Sequence, residues 1–160
     1  MSDLVYLEDL VLGQSFNSGT VTVTAAEIKA FAAQFDPQPF HLDEAAGQAS
    51  FFKGLAASGW HTASLGMRLM VTSGPKLAAG YIGGGGDISW KQPVYAGDTL
   101  RLRGEIVEVK PSRSRPDRGI ALVRCETFNQ RDELVQVMTA QVVVLRRPGS
   151  AADPAPSRRW

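Results

Sequence analysis

The hydrophobic period of the chain changes near its middle, and this change limits the folds it can adopt. Residues 60–72 place Leu65, Leu69 and Met70 at helical spacing with few polar residues between them, which predicts a helix buried on most sides. The later segments instead alternate apolar and polar residues and are rich in β-branched side chains; they are 87–90, 99–109, 120–129 and 134–145. Helices followed by an antiparallel meander predict an α+β fold, with one sheet wrapped on one buried helix.

The first half of the chain is predicted to be mainly helical after a short strand at 15–23. Thr24 is a good N-cap, and Glu27 completes a capping box three residues later. The apolar face of that helix is then Ile28, Phe31, Ala32 and Phe35. The helix should end before Asp36, because the prolines at 37 and 39 favour an extended, rigid loop. Residues 42–50 can form a second, short helix.

Composition narrows the class of protein. A chain of 160 residues with 44% hydrophobic and 21% charged residues is typical of one globular domain. The net charge of +1 argues against nucleic acid or a membrane surface as a partner. Cys125 is the single cysteine, which excludes an internal disulfide framework. The first residues lack a secretory pattern and no apolar run reaches the roughly 18 residues of a membrane span, so we expect a cytoplasmic protein.

The last residues differ in composition from the rest of the chain. Residues 148–160 are rich in Pro, Ala, Ser and Arg and have no periodicity that could build a core. We therefore expect one domain over residues 1–147 and a flexible tail over 148–160.

Asp36 and His41 stand at the two ends of the proline-containing loop. Because the prolines restrict this loop, a carboxylate and an imidazole can be held in a fixed relative position, where they can bind and deprotonate a water molecule. Further along, Ser58 is predicted to cap the buried helix, so that Ser58 and Gly59 lie at its N-terminus. The N–H of Gly59 would then lie at the positive end of the helix dipole, as a candidate donor to an oxyanion. Close packing of the helix on the sheet is the alternative reason for a glycine at this position.

The segment Asp-Pro-Gln-Pro-Phe-His at 36–41 resembles the hydratase motif of the MaoC-like, R-specific enoyl-CoA hydratases, usually Gly-Asp-x-Asn-Pro-Leu-His. The resemblance continues through 90–100 and on to residue 147. It departs from the usual pattern at Gln38, where asparagine is common, and at Phe35, where glycine precedes the aspartate. It identifies Asp36 and His41 with the catalytic aspartate and histidine, and Gly59 with the oxyanion glycine. It also implies a hot-dog fold, in which an antiparallel sheet wraps a central helix and two protomers pair.

The resemblance implies a hydratase that adds water to trans-2-enoyl-CoA to give (R)-3-hydroxyacyl-CoA, or catalyses the reverse dehydration. It requires no metal or bound cofactor, since coenzyme A enters as part of the substrate, and it implies a homodimer. Two other functions stay open: a hot-dog acyl-CoA thioesterase and a non-catalytic acyl-CoA-binding module. Ser58 and Gln38 are further candidates for substrate contact.

A basic loop at 110–118 interrupts the alternating segments. Its arginines are candidate contacts for the phosphates of coenzyme A, although a solvated hairpin is the simpler interpretation; they are Arg113, Arg115 and Arg118. The glycine run 83–86 is not followed by Lys-Ser/Thr, so we interpret it as the start of a strand rather than a phosphate loop. His61 is expected to be structural or to line a pocket, and Cys125 to be a packing residue.

Overall fold

The computed structural model describes residues 3–150. A short 3-10 turn covers Leu7–Asp9, and the helices are α1 (Ala25–Phe35), α2 (Pro39–Leu42), α3 (Glu44–Ala49) and α4 (Gly59–Ser73). The strands are β1 (Ser15–Thr22), β2 (Ile82–Trp90), β3 (Thr99–Pro111), β4 (Arg118–Phe128) and β5 (Leu134–Leu145).

The five strands form one sheet in the order β1-β3-β4-β5-β2, and every neighbouring pair is antiparallel. Helix α4 packs against β1, β3, β4 and β5, so the sheet wraps this helix. The predicted α+β class and hot-dog arrangement are confirmed. The glycine run 83–86 lies inside β2, where it extends the predicted strand toward its N-terminal end.

The hydrophobic core lies between α4 and the alternate residues of the strands that face it. Leu69 and Met70 of α4 pack in a cluster with buried residues of β3, β4 and β5, among them Leu102, Val123 and Val142. Burial of apolar surface of this kind is the main stabilising contribution in a domain of this size. Cys125 belongs to the same cluster, and burial raises the pKa of its thiol to about 12.

Helix α1 begins and ends where its sequence signals lie. The Thr24 hydroxyl accepts the N–H of Glu27, and the Glu27 carboxylate accepts the N–H of Thr24, so the capping box is confirmed. The helix ends at Phe35, before Asp36. The expectation that Phe35 lies on the buried face is wrong: its side chain is 67% exposed, and its ring contacts Phe31 one turn earlier in the same helix, with centroids 5.0 Å apart.

Two further expectations are corrected. Pro39 does not extend the loop but begins α2, since a proline at the first helical position loses no intrahelical hydrogen bond. Helix α4 is not buried on most sides, because one five-stranded sheet covers only one of its faces; Trp60, Met67 and Val71 are exposed on the other. Of the helices in residues 3–150, none has the length and apolar character needed to cross a membrane.

The residues after β5 contact the 3-10 turn near the start of the chain. Arg146 donates from Nε to Oε1 of Glu8 at 2.9 Å, and the Ser150 hydroxyl donates to the same oxygen at 3.0 Å. The chain is therefore anchored as far as Ser150, inside the segment expected to be a tail. The rest of that segment, residues 151–160, lies outside the described residues, so its flexibility stays a prediction.

Candidate active site

Asp36 is the C-cap residue of α1 and is held by two donors. The Ser58 hydroxyl donates to Oδ2 at 2.7 Å, and Nε2 of Gln38 donates to Oδ1 at 2.6 Å. Partial burial by itself raises the pKa of this carboxyl, but the two hydrogen bonds and the nearby His41 together lower it below its ordinary value. Asp36 is therefore a carboxylate at neutral pH, and both of its oxygens are fixed in position.

His41 lies in α2 and is buried, with 4% of its surface exposed. Its Nδ1 is 2.6 Å from the carbonyl oxygen of Ala56. A carbonyl can only accept, so Nδ1 carries the proton and donates, which leaves Nε2 as the acceptor of the neutral ring. Nε2 faces Oδ2 of Asp36 at 3.3 Å. This separation allows one water molecule to donate to both atoms at once.

The N-terminus of α4 lies beside this pair. Ser58 is the N-cap of α4, and its hydroxyl oxygen accepts the N–H of Trp60 at 3.3 Å while its proton goes to Asp36. Gly59 is the first residue of the 15-residue helix, so its N–H has no acceptor within the helix. The helix dipole places partial positive charge at this end, which suits an oxygen atom that gains negative charge.

Trp90, the last residue of β2, packs directly on Gly59. A Cβ added to Gly59 would lie 2.6 Å from Cε2 of the Trp90 ring, so no other residue fits here unless the ring moves. The ring is held in turn, because its Nε1 donates to Oε1 of Gln136 at 3.0 Å. Gly59 thus serves close packing of helix and sheet, and it also lies on the wall of the cavity described next.

A cavity of about 420 Å³ opens at this place. His41, Gln38 and Gly59 lie on its wall. Much of the remaining wall is aromatic and comes from α2, from the segment between α3 and α4, and from β2; these residues are Phe40, Phe51, Phe52 and Trp90. An apolar chain can therefore bind beside a polar pair, which is the arrangement expected of a small-molecule site.

The structure brings together five of the residues predicted from sequence: Asp36, Gln38, His41, Ser58 and Gly59. Gln38 and Ser58 were expected to contact substrate. In the structure both donate to Asp36, and Gln38 also lies on the cavity wall.

The basic loop does not reach this site within one protomer. It forms the hairpin between β3 and β4, where Arg118 lies opposite Leu145 of β5 and pairs with Asp117 at 2.7 Å. Trp90, on the cavity wall, lies opposite Gln136 of β5. Gln136 and Leu145 are nine residues apart on β5, which corresponds to about 30 Å along the strand. The residues not brought to the pair of Asp36 and His41 are therefore Arg113, Arg115 and Arg118.

His61 follows the N-terminus of α4 but belongs to the packing around it. Its ring stacks on Phe31 with centroids 4.8 Å apart, and burial lowers its pKa, against a smaller opposing effect of Glu27. Within residues 3–150, no three His, Cys, Asp or Glu side chains are grouped so that they could hold a metal ion.

Sequence reasoning missed several residues of the site. The Ala56 carbonyl, Trp90 and Lys91 were not identified, although the carbonyl contacts His41 and the other two residues line the cavity. Ala56 is 15 residues from His41 along the chain. Trp90 and Lys91 come to the site because β2 pairs with β5 in the observed register. A backbone carbonyl leaves no signal in the residue type. The family-like segment at 90–100 was the only sequence signal that pointed to Trp90 and Lys91.

Comparison with known proteins identifies a family. The family model described as "MaoC like domain" matches residues 9–126. The chain is 30% identical over 142 residues to protein YdeM of Bacillus subtilis, which covers 87% of this chain and 96% of that protein. It is 33% identical over 121 residues to the (R)-specific enoyl-CoA hydratase of Aeromonas caviae, which covers 75% of this chain and 84% of that enzyme.

A solved structure of a MaoC-like protein is similar to this chain at higher sequence identity. The MaoC-like dehydratase from Rhodospirillum rubrum superposes with a TM-score of 0.86 at 56% sequence identity, over 90% of this chain and 99% of that one.

Proposed function

The chain belongs to the MaoC-like domain family, and on this basis we propose that it is a hydratase that adds water to trans-2-enoyl thioesters. The product is the (R)-3-hydroxyacyl thioester, and the reaction is reversible. One observation carries the proposal: Oδ2 of Asp36 and Nε2 of His41 lie 3.3 Å apart beside an aromatic cavity that also contains the N-terminus of α4.

The first step is activation of a water molecule by the pair. The water donates one hydrogen bond to Nε2 of His41 and one to Asp36, since Nδ1 of His41 is already committed to Ala56. Its oxygen attacks C3 of the enoyl group while Nε2 takes one of its protons. Asp36 stays ionised and stabilises the imidazolium that forms.

The second step returns that proton to C2. His41 has one nitrogen free to exchange protons, so the proton it took from water is the one it delivers, on the same face to which the oxygen was added. Hydrogen and hydroxyl of one water molecule thus end on C2 and C3, and His41 regains its neutral form.

Between these steps, negative charge develops on the thioester oxygen. The N–H of Gly59 is proposed to donate to this oxygen, and the dipole of α4 adds to the stabilisation. The hydrogen bond strengthens as the oxygen becomes enolate-like, so it lowers the barrier rather than only the binding energy. Hydration leaves the overall oxidation state unchanged, so the proposal needs neither flavin nor nicotinamide, and coenzyme A enters only as part of the substrate.

A homodimer is part of the proposal and has its own support. The uncovered face of α4 and the unpaired edge of β2 together border an apolar depression of about 610 Å³ that includes Trp60, Met67 and Ile88. Monomeric proteins seldom expose a large apolar face next to an open strand edge. A second copy of the chain would cover both.

The test is a panel of enoyl-CoA substrates, from crotonyl-CoA to longer chains, followed by absorbance of the enoyl thioester and chiral analysis of the product. The proposal requires loss of the conjugated absorbance and an R-configured 3-hydroxy product. Release of free thiol without hydration would indicate a thioesterase instead. Binding of acyl-CoA without any turnover would indicate a non-catalytic module.

A further inference from the structure

Both members of the reactive pair are held by one buried segment, residues 54–58, which lies between α3 and α4. Nδ1 of His41 donates to the carbonyl of Ala56 at 2.6 Å. The Ser58 hydroxyl donates to Asp36 at 2.7 Å. The relative position of the imidazole and the carboxylate therefore depends on what holds this segment in place.

The segment pairs with the chain around Tyr95. Ala56 and Tyr95 lie opposite each other in a short antiparallel bridge. Two backbone hydrogen bonds, of 2.7 and 3.3 Å, join the residues on either side of Ala56 to those on either side of Tyr95. Because the flanking residues make both bonds, the carbonyl of Ala56 points away from Tyr95 and is free to accept from His41.

Tyr95 is fixed through both its side chain and its backbone. Its hydroxyl donates to the carbonyl of Phe52 at 2.6 Å, across 43 residues of sequence. Its N–H donates to Oδ2 of the buried Asp98 at 2.9 Å. Its ring lies close to Gly54, since a Cβ added there would be 3.2 Å from two ring atoms. This one residue thus holds the chain at Phe52, Gly54 and Ala56.

The turn that the Tyr95 hydroxyl fixes has an unfavourable backbone conformation. Lys53, the residue after Phe52, has a φ of 55°, in the left-handed region that residues with a Cβ seldom adopt and that persists where neighbouring contacts hold it. On one side, the Tyr95 hydroxyl holds the carbonyl of Phe52. On the other side, the N–H of Gly54 donates to the carbonyl of Gly47 at 3.1 Å. Loss of the Tyr95 hydroxyl would therefore release the turn on one side.

We propose that Tyr95 is a positioning residue for the hydration: it fixes the Ala56 carbonyl that keeps the proton on Nδ1 of His41. This deepens the proposed function and rests on it. While that carbonyl is held, Nε2 of His41 stays an acceptor for the attacking water. When it is released, the proton can move to Nε2, and a ring in that form cannot take a proton from the water. Among the described residues, Tyr95 is not one that lines the cavity, so it acts through Ala56.

The experiment compares Tyr95→Phe with Tyr81→Phe. Each variant removes one hydroxyl that donates to a backbone carbonyl; the Tyr81 hydroxyl donates to Pro75 at 2.9 Å, and neither of these two residues is among the described residues that line the cavity. Both variants should lower the thermal midpoint by similar amounts. Tyr95→Phe alone should also lower kcat with crotonyl-CoA, about ten-fold and with little change in KM, because it alters the geometry of proton transfer rather than a substrate contact.

A direct measurement of the tautomer accompanies the kinetics. His41 and His61 are the two histidines of the chain, so NMR of isotope-labelled histidine gives a simple spectrum, which the His41→Ala variant assigns. At about pH 8, above the ordinary titration range of imidazole, the ring nitrogens show which of them carries the proton. Wild type should carry it on Nδ1 of His41, and Tyr95→Phe should show both tautomers. The tautomer of His61 should be the same in wild type and in both tyrosine variants.

The proposal requires both results. A Tyr95→Phe variant as active as Tyr81→Phe would overturn it, and so would a His41 tautomer that is the same in Tyr95→Phe and wild type. If Tyr95→Phe does not fold, Gly54→Ala takes its place, because the added methyl group displaces the Tyr95 ring while the hydroxyl is kept. It should give the same two changes to a smaller degree, and the absence of either change would overturn the proposal.

The NMR measurement also separates this proposal from the hydratase proposal, because it needs no turnover. If the wild type hydrates no enoyl thioester but the His41 tautomer still depends on the Tyr95 hydroxyl, the hydratase proposal fails and Tyr95 keeps its role in positioning His41. If the wild type hydrates crotonyl-CoA and the tautomer does not depend on Tyr95, the hydratase proposal is kept and the role of Tyr95 fails.

Discussion

Ser58 donates a 2.7 Å hydrogen bond to Asp36 from a position 22 residues further along the chain. The same hydroxyl oxygen caps α4 by accepting the N–H of Trp60. One side chain thus joins the end of α1 to the start of the central helix. The position of the candidate carboxylate is therefore coupled to the cap that orients the candidate oxyanion donor.

Removal of either member of the reactive pair should abolish most activity. Asp36→Asn keeps the shape but removes the charge that stabilises the imidazolium, and His41→Ala removes the proton carrier. Each should lower kcat at least ~100-fold. The double variant should lose little more than the worse single variant, because both groups act on one water molecule. Initial rates with crotonyl-CoA, with circular dichroism as the control for folding, test this; a folded Asp36→Asn variant of full activity would falsify the mechanism.

Variants of Ser58 separate its two roles. Ser58→Ala loses the cap of α4, at a cost of about 1 kcal/mol of folding free energy, and also the hydrogen bond to Asp36. Ser58→Gly loses the same hydrogen bond to Asp36, but glycine destabilises an N-cap position less than alanine does. We expect Ala to lower the thermal midpoint more than Gly, and both to reduce kcat to a similar degree. Different activities for two equally folded variants would contradict the role of Ser58 in holding Asp36.

Gly59→Ala should act through Trp90. The new methyl group would lie 2.6 Å from the ring, which Gln136 holds in place, and overpacking of this kind costs about 1–3 kcal/mol. Alanine keeps the backbone N–H, so the loss should be steric. Adding Trp90→Phe should recover part of the stability by making room. Thermal denaturation and kcat/KM of the single and double variants measure this, and a Gly59→Ala protein as stable and active as wild type would exclude the contact.

The uncovered face of α4 should be the dimer interface. Met67 is 41% exposed there, and a carboxylate at this position would be buried without a partner if two copies paired on this face. Met67→Glu should therefore convert a dimer into a folded monomer, whereas Lys76→Glu, outside this face, should not. Sedimentation at micromolar concentration distinguishes the two. A wild-type monomer at that concentration would rule out the proposed dimer.

The hydrogen bonds that the Glu8 carboxylate accepts should contribute a folding stability that depends on pH. Partial burial by itself raises the pKa of Glu8, but hydrogen bonds from the Arg146 side chain, the Arg147 backbone and Ser150 lower it to about 2. A carboxyl whose pKa is lowered by folding stabilises the fold above its ordinary pKa of 4.5, and this contribution is lost as the pH falls from there toward about 2. The difference in unfolding free energy between wild type and Glu8→Gln should thus shrink over this interval. A difference that stays constant from pH 6 to pH 2 would contradict the lowered pKa.

Local sequence patterns determined the elements of the fold. The capping box at Thr24, the N-cap at Ser58 and the alternating segments depend on residues a few positions apart, so their spacing carries the information. The same holds for the motif at 36–41, in which the two reactive side chains are close in sequence. These features predicted the α+β class and the residues Asp36, His41 and Gly59.

Only the tertiary structure decided how these elements meet. The register of β2 with β5 brings Trp90 onto Gly59 and Lys91 to the cavity, and the segment before α4 brings the Ala56 carbonyl to His41. The same packing leaves Phe35 exposed and uncovers one face of α4. Contacts of this kind depend on sheet register and on the direction in which helices cross the sheet, which residue spacing within one segment does not contain.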